Sequence, residues 1–433
     1  MRRLRLAMFL VICLGVGAIA PALAAEVKPP VAGEKDIEIL VPGGYYAEFL
    51  KSGPIPEFEK SHPGTKVIIL HNLDDAQLAA RIAANNAPDI RVGGFGYDLA
   101  KYAQMGVLIR LDRLPGAGKL LNRIDPKFSR KVFGGVFGVP WTVITQVLVY
   151  NKELFREAGL DPNRPPETFD EYLAYAEKIS KLPPRANGDK VYGNVFWNEA
   201  LSWGGWYWGM LHQIYLNFND GKYGLLNKYG TDVVFDHPNA RMAEFFAFCQ
   251  KAQKFAPPNM EKSFFNRNMG MWIQFGSGWK ANMKEARDRP MVIGDDVAIA
   301  PIPTRKKGGR HWTTLDGRSL AIFKTTPVKQ QLAWDFINLL LRKDNSLALY
   351  KATGDLPPLK ELAADPALQV PDAKTFLASV ANSQMSEPWA VVGDVGNVLL
   401  KQYMECVIKG NITPAEAVRR AAEEARNILR NKK

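Results

Sequence analysis

Ile37-Glu38-Ile39-Leu40-Val41 is a short apolar run closed by Pro42-Gly43-Gly44, and the chain then repeats this pattern. A helix is expected around Tyr46 to Ser61. Lys66-Val67-Ile68-Ile69-Leu70 reads as the next strand. Asp74 to Asn85 reads as a helix with Leu78, Ile82 and Ala83 on one face, and Pro88-Asp89-Ile90-Arg91-Val92 as a third strand ahead of Gly93-Gly94. Strand, helix, strand, helix predicts an α/β fold with a parallel sheet. Ligands of such sheets collect in the loops after the strands' carboxyl ends. Here those loops are Gly43 to Tyr46, His71 to Asp75, and Gly93 to Tyr97.

Further along, Thr142 to Tyr150 reads as one long apolar strand. Thr168 with Glu171 three residues on forms a capping signal for a helix. Val191 to Trp197, Asp296 to Pro303 and Ser319 to Lys324 are later strands, and Pro327 to Arg342 is a helix. Thr413-Pro414-Ala415-Glu416 opens the last helix with an N-cap, a proline at the first turn and a capping glutamate. Two separate strand-helix series need two sheets. At 433 residues the chain also exceeds one typical core.

The N-terminus reads as a signal peptide over residues 1–24. Arg2, Arg3 and Arg5 precede an uncharged apolar run from Leu6 to Ala20, and Ala22 and Ala24 stand as the small residues of a cleavage site near Ala24/Ala25. The run is shorter than the ~20 residues of a spanning helix. Processing would remove three of the excess positive charges and leave about +9 from the chain's +12. Lysine and arginine are spread evenly, which describes a solvated basic surface, and no nucleic-acid-reading motif is evident. Cys249 and Cys406 would survive processing. An exported pair could bond, but their apolar flanks read as two buried thiols.

Four segments resemble a known family, the extracellular solute-binding proteins of ABC importers, in the carbohydrate-type group that includes maltose-binding protein. The first runs from Val136-Phe137-Gly138-Val139-Pro140-Trp141 through Val149-Tyr150-Asn151-Lys152-Glu153-Leu154-Phe155, Ala158-Gly159-Leu160 and Pro165 to Glu171. The second is Pro88-Asp89-Ile90 with Tyr102 to Leu108. The third is Val297 to Pro303 with Leu320-Ala321-Ile322 and Ala333 to Ile337. The fourth is Ala352-Thr353-Gly354-Asp355-Leu356-Pro357. The resemblance implies a two-lobed flytrap in which each lobe is an α/β sandwich. The N-terminal lobe would comprise 37–145 with 302–345, and the C-terminal lobe 146–301 with 346–433. Crossings are expected near Val143 to Val147, Ala300 to Thr304 and Asp344 to Lys351. A carbohydrate, as a mono- or oligosaccharide or a derivative, would bind between the lobes of a periplasmic monomer. Hinge closure would then deliver it to the membrane permease, with no cofactor and no nucleic acid involved.

Sugar rings pack their C–H faces on flat aromatic surfaces. The candidate platforms are Tyr45, Tyr46, Phe95, Tyr97 and Trp197 at strand ends. To these the resemblance adds Trp141, which follows the family's "GVP", and Trp279, which follows Gly276-Ser277-Gly278. Asp74, Thr142, Ser277 and Asp316 are candidate polar partners. Arg318 stands where the family commonly has an aromatic, and a guanidinium there could clasp a carboxylate or phosphate. An anionic polyol or sugar phosphate is therefore the alternative ligand. A periplasmic glycan-active enzyme is the remote alternative, since the five histidines form no metal spacing and no nucleophile motif is present.

Overall fold

The structure, a computed structural model, describes residues 33–71, 73–94, 96–196, 211–258, 263–276, 278–284 and 289–431. The expected signal segment, Phe95, Trp197 and Ser277 lie outside the described residues. Among the described residues, ten strands form two sheets. The first contains β1 (Ile37–Val41), β2 (Val67–His71), β3 (Ile90–Gly93), β4 (Val139–Thr145), β9 (Thr313–Ile322) and β10 (Ser383–Gln384). The second contains β5 (Val147–Asn151), β6 (Tyr192–Val195), β7 (Met269–Phe275) and β8 (Val297–Ala300).

The parallel expectation holds for β1, β2 and β3, with Ile39 opposite both Ile69 and Ile90. It fails at β9, which runs antiparallel to β3 and to β4, so the sheet is mixed. The second sheet is mixed too: β5 is antiparallel to β7 and β8, while β6 is parallel to β7. Helices cover the sheets wherever an apolar stripe can be buried. Phe58 of the helix Pro54–Ser61 meets Phe336 of the helix Pro327–Leu340 edge-on. Around the second sheet, Phe155, Tyr172, Phe246, Leu399 and Tyr403 form a separate core.

The predicted strand 142–150 is in fact two strands. β4 and β5 are separated by the single residue Gln146, and each half pairs with a different sheet. The predicted helix 46–61 is also two, Gly44–Ser52 and Pro54–Ser61, divided at Gly53. At the later crossings, Thr304 still pairs with Thr168 beside the second sheet, and β9 starts only at Thr313. Residues 344–351, where the third crossing is expected, lie inside the helix Lys343–Thr353. Cys249 and Cys406 are buried free thiols, and burial pushes the Cys249 thiol well above its usual range.

Candidate functional site

The site is assembled where β4 and β9 approach the second sheet. Their ladder slips by one residue between Pro140 and Thr142, which leaves Trp141 in a bulge. A bulge re-aims side chains locally. Trp141 accordingly lies against the helix Gly44–Ser52, with its ring 5.3 Å from Tyr46 and 6.3 Å from Phe49. Across the ladder Thr142 faces Arg318, and its Oγ1 accepts the Arg318 backbone N–H at 3.1 Å.

Asp355, which sequence reasoning did not select, connects the parts. The Tyr46 hydroxyl donates to Asp355 Oδ2 at 2.5 Å, and the Gly278 N–H donates to Asp355 Oδ1 at 2.8 Å. Tyr46 follows β1 of the first sheet and Gly278 follows β7 of the second, so one carboxylate joins both. The Asp355 segment is itself held on β4 by reciprocal backbone bonds between Leu356 and Val143. Gly278 has φ +64°, and a Cβ there would stand 2.8 Å from the Tyr45 ring, so only glycine lets this loop approach.

The guanidinium of Arg318 lies over the Tyr46 ring at 5.8 Å. Burial opposes its charge, but Tyr46, Tyr45, Asp316 and Asp355 around it more than compensate and hold it protonated. Burial, reinforced by Asp355, keeps the Tyr46 phenol well above its usual range, so it remains a donor. One cation therefore sits among two carboxylates, and the cluster carries no surplus positive charge.

The structure thus brings Tyr45, Tyr46, Trp141, Thr142, Trp279, Asp316 and Arg318 to one region. Their faces are not open platforms. Tyr46 and Trp141 are fully buried. Trp279 stacks on Phe376 at 5.9 Å, has Lys280 over its ring at 5.1 Å, and donates its indole N–H to the Gly354 carbonyl. Tyr97 packs against Gly393 of the helix Val392–Tyr403. Asp74 is exposed and occupied locally as the N-cap of the helix Asp75–Ala83, where it accepts from Gln77 N–H at 2.7 Å. Among the described residues no group of three or more His, Cys, Asp or Glu side chains could hold a metal ion.

Two mixed sheets joined by short crossings, with a polar and aromatic cluster between them, define a two-lobed α/β binding protein of the flytrap type. Residues 47–346 match the family model described as bacterial extracellular solute-binding protein, and the chain belongs to that family. It is 24% identical over 323 residues to the sn-glycerol-3-phosphate-binding periplasmic protein UgpB of Escherichia coli strain K12, spanning 70% of this chain and 69% of that one. It is 26% identical over 366 residues to the diacetylchitobiose binding protein DasA of Streptomyces coelicolor, spanning 80% and 78%. Its fold superposes on maltose-bound MalE3 of T. maritima with a TM-score of 0.75 at 23% identity, covering 91% of this chain and 99% of that one.

Proposed function

We propose that this protein is the ligand-capturing component of an ABC importer and that its ligand is a carbohydrate. It would be exported through the signal peptide 1–24, cleaved near Ala24/Ala25, and would act in the periplasm as a monomer. Its lobes would be 37–145 with 302–345, and 146–301 with 346–433. Ligand bridges them, closure follows, and the closed form is what the permease recognises. Micromolar capture requires about 8 kcal/mol, which aromatic contact and hydroxyl bonding supply without any bond being made or broken.

The observation that carries this reading is the cluster of Tyr45, Tyr46, Arg318, Asp316 and Asp355 between the sheets, in which two carboxylates surround one guanidinium. A site with no surplus positive charge suits an uncharged polyhydroxylated ligand. The similarity to UgpB and the presence of Arg318 support a second reading, a polyol phosphate. Thermal melting with maltose, N,N′-diacetylchitobiose and glycerol 3-phosphate decides between them. A bound saccharide at a hundred times its Kd should stabilise the fold by about 2.7 kcal/mol. A rise in Tm with glycerol 3-phosphate alone would replace the carbohydrate reading with the second.

A further inference from the structure

The face of the β4/β9 ladder that carries the site continues toward the crossing. Side chains alternate along a strand, and directly paired residues share a face. Thr142 opposite Arg318 and Ile144 opposite Asp316 therefore share one face. Gln146 follows β4 directly and Trp312 directly precedes β9, and the bonds between the Gln146 backbone and Thr313 bring the two together at the end of the ladder nearest the crossing. The bulge keeps Trp141 on the shared face, as its contact with Tyr46 requires.

Along this ladder and its end at the crossing, three uncharged side chains carry a buried polar atom that meets no hydrogen-bond partner among the described residues: Trp141 Nε1, Gln146 Oε1 and Trp312 Nε1. Orphaned buried polar groups are rare and costly, so each asks for an explanation. Their backbones leave no slack to relieve them. The Gln146 N–H donates to Thr313 Oγ1 at 2.9 Å, and Thr313 Oγ1 donates back to the Gln146 carbonyl at 2.9 Å. The Gln146 amide lies flat against Gly276, whose Cβ would fall 2.5 Å from Oε1. Trp312 is gripped at both backbone groups by the Asn217 side chain, at 2.7 and 2.8 Å, and its ring lies against Gly221.

We propose that these three atoms read the ligand's hydroxyls: Gln146 Oε1 accepts from one, and the indole N–H groups of Trp141 and Trp312 donate to others. The assignment rests on the carbohydrate reading above and narrows it. Two fixed neutral donors and one fixed neutral acceptor match hydroxyl groups, which both donate and accept. None of the three carries charge; the cation of this face is Arg318. Trp141 then acts through its edge rather than as a stacking platform.

The test is the pair Gln146→Met, which is near-isosteric, and Trp312→Phe, with binding of maltose and N,N′-diacetylchitobiose read by calorimetry and the unliganded Tm read alongside. Both substitutions leave the backbone clasps intact. Each variant should bind the saccharide about tenfold or more weakly. The unliganded Tm of Gln146→Met should hold or rise, because an orphaned polar atom has been removed, whereas Trp312→Phe also loses ring volume and should melt somewhat lower. Wild-type affinity in both variants would overturn the assignment while leaving the carbohydrate reading in place, and a fall in the Tm of Gln146→Met with unchanged affinity would show that its amide oxygen serves the fold. If the wild-type protein bound neither saccharide, the carbohydrate reading itself would fall and the assignment with it.

Discussion

His212 opens the helix His212–Leu216 with its ring fully buried beside Tyr215. Burial lowers its pKa to about 4, and Glu387 pulls weakly the other way. The unfolded chain protonates this histidine near pH 6.5, well before the fold does. Its contribution to stability is therefore complete above pH 6.5 and shrinks as the pH falls toward 4, by up to about 3 kcal/mol. Tm followed from pH 7.5 to 4 should show this decline, and His212→Gln should flatten it. A variant profile parallel to the wild type would assign the acid sensitivity to other groups. The site is also decided residue by residue, and there the sequence was only partly legible. Tyr45, Tyr46, Trp141 and Arg318 could be singled out because their residue types and neighbours suggest recognition. Asp355 could not, although it stands in a recognisable segment. Its partners Tyr46 and Gly278 are 309 and 77 positions away, and only tertiary structure joins them.

Elements were most legible where a period and a cap agree. β1 and the helices opened by Asp74, Thr168, Thr326 and Thr413 fall within a few residues of expectation, because a side-chain oxygen accepts an early backbone N–H in each. The run from Thr142 to Tyr150 reads as one strand because β-favouring residues continue through it, and only the family resemblance places a crossing near Val143 to Val147. Gln146 is the point where pairing passes from β9 to β7 and β8. Glycines show the same dependence on distant partners. A Cβ on Gly193 of β6 would lie 2.0 Å from the Ala176 carbonyl oxygen, in the backbone of the helix Phe169–Ser180. Gly193→Ala must push that helix off the second sheet and should cost about 3 kcal/mol or more. Gly118, in the helix Ala117–Leu121, has open space around its Cβ position. Gly118→Ala should be neutral or stabilise by up to about 1 kcal/mol. Equal effects of the two substitutions on urea unfolding would refute the close approach at Gly193.

At the scale of the whole molecule, the two sheets are joined by backbone crossings and by side chains, among them Asp355 and the Asn217 clasp on Trp312. The crossings fix where the molecule can bend, whereas Asp355 bonds to groups that bending would separate: the Tyr46 hydroxyl beyond β1 and the Gly278 N–H beyond β7. Hydrogen bonds to a charged group contribute roughly 1.5–3 kcal/mol each. Losing one should shift the ratio of joined to separated lobes by about tenfold to a hundredfold. Tyr46→Phe removes only the hydroxyl, and Asp355→Asn removes the charge from both bonds. Ligand binds where both lobes contribute, so affinity scales with the fraction of molecules in which the lobes meet. Both variants should therefore lose affinity, and small-angle scattering should show a larger radius of gyration without ligand that returns to the wild-type value at saturation. The same radius and the same Kd as wild type in Asp355→Asn would mean that the crossings and the other contacts, not Asp355, set the angle between the lobes.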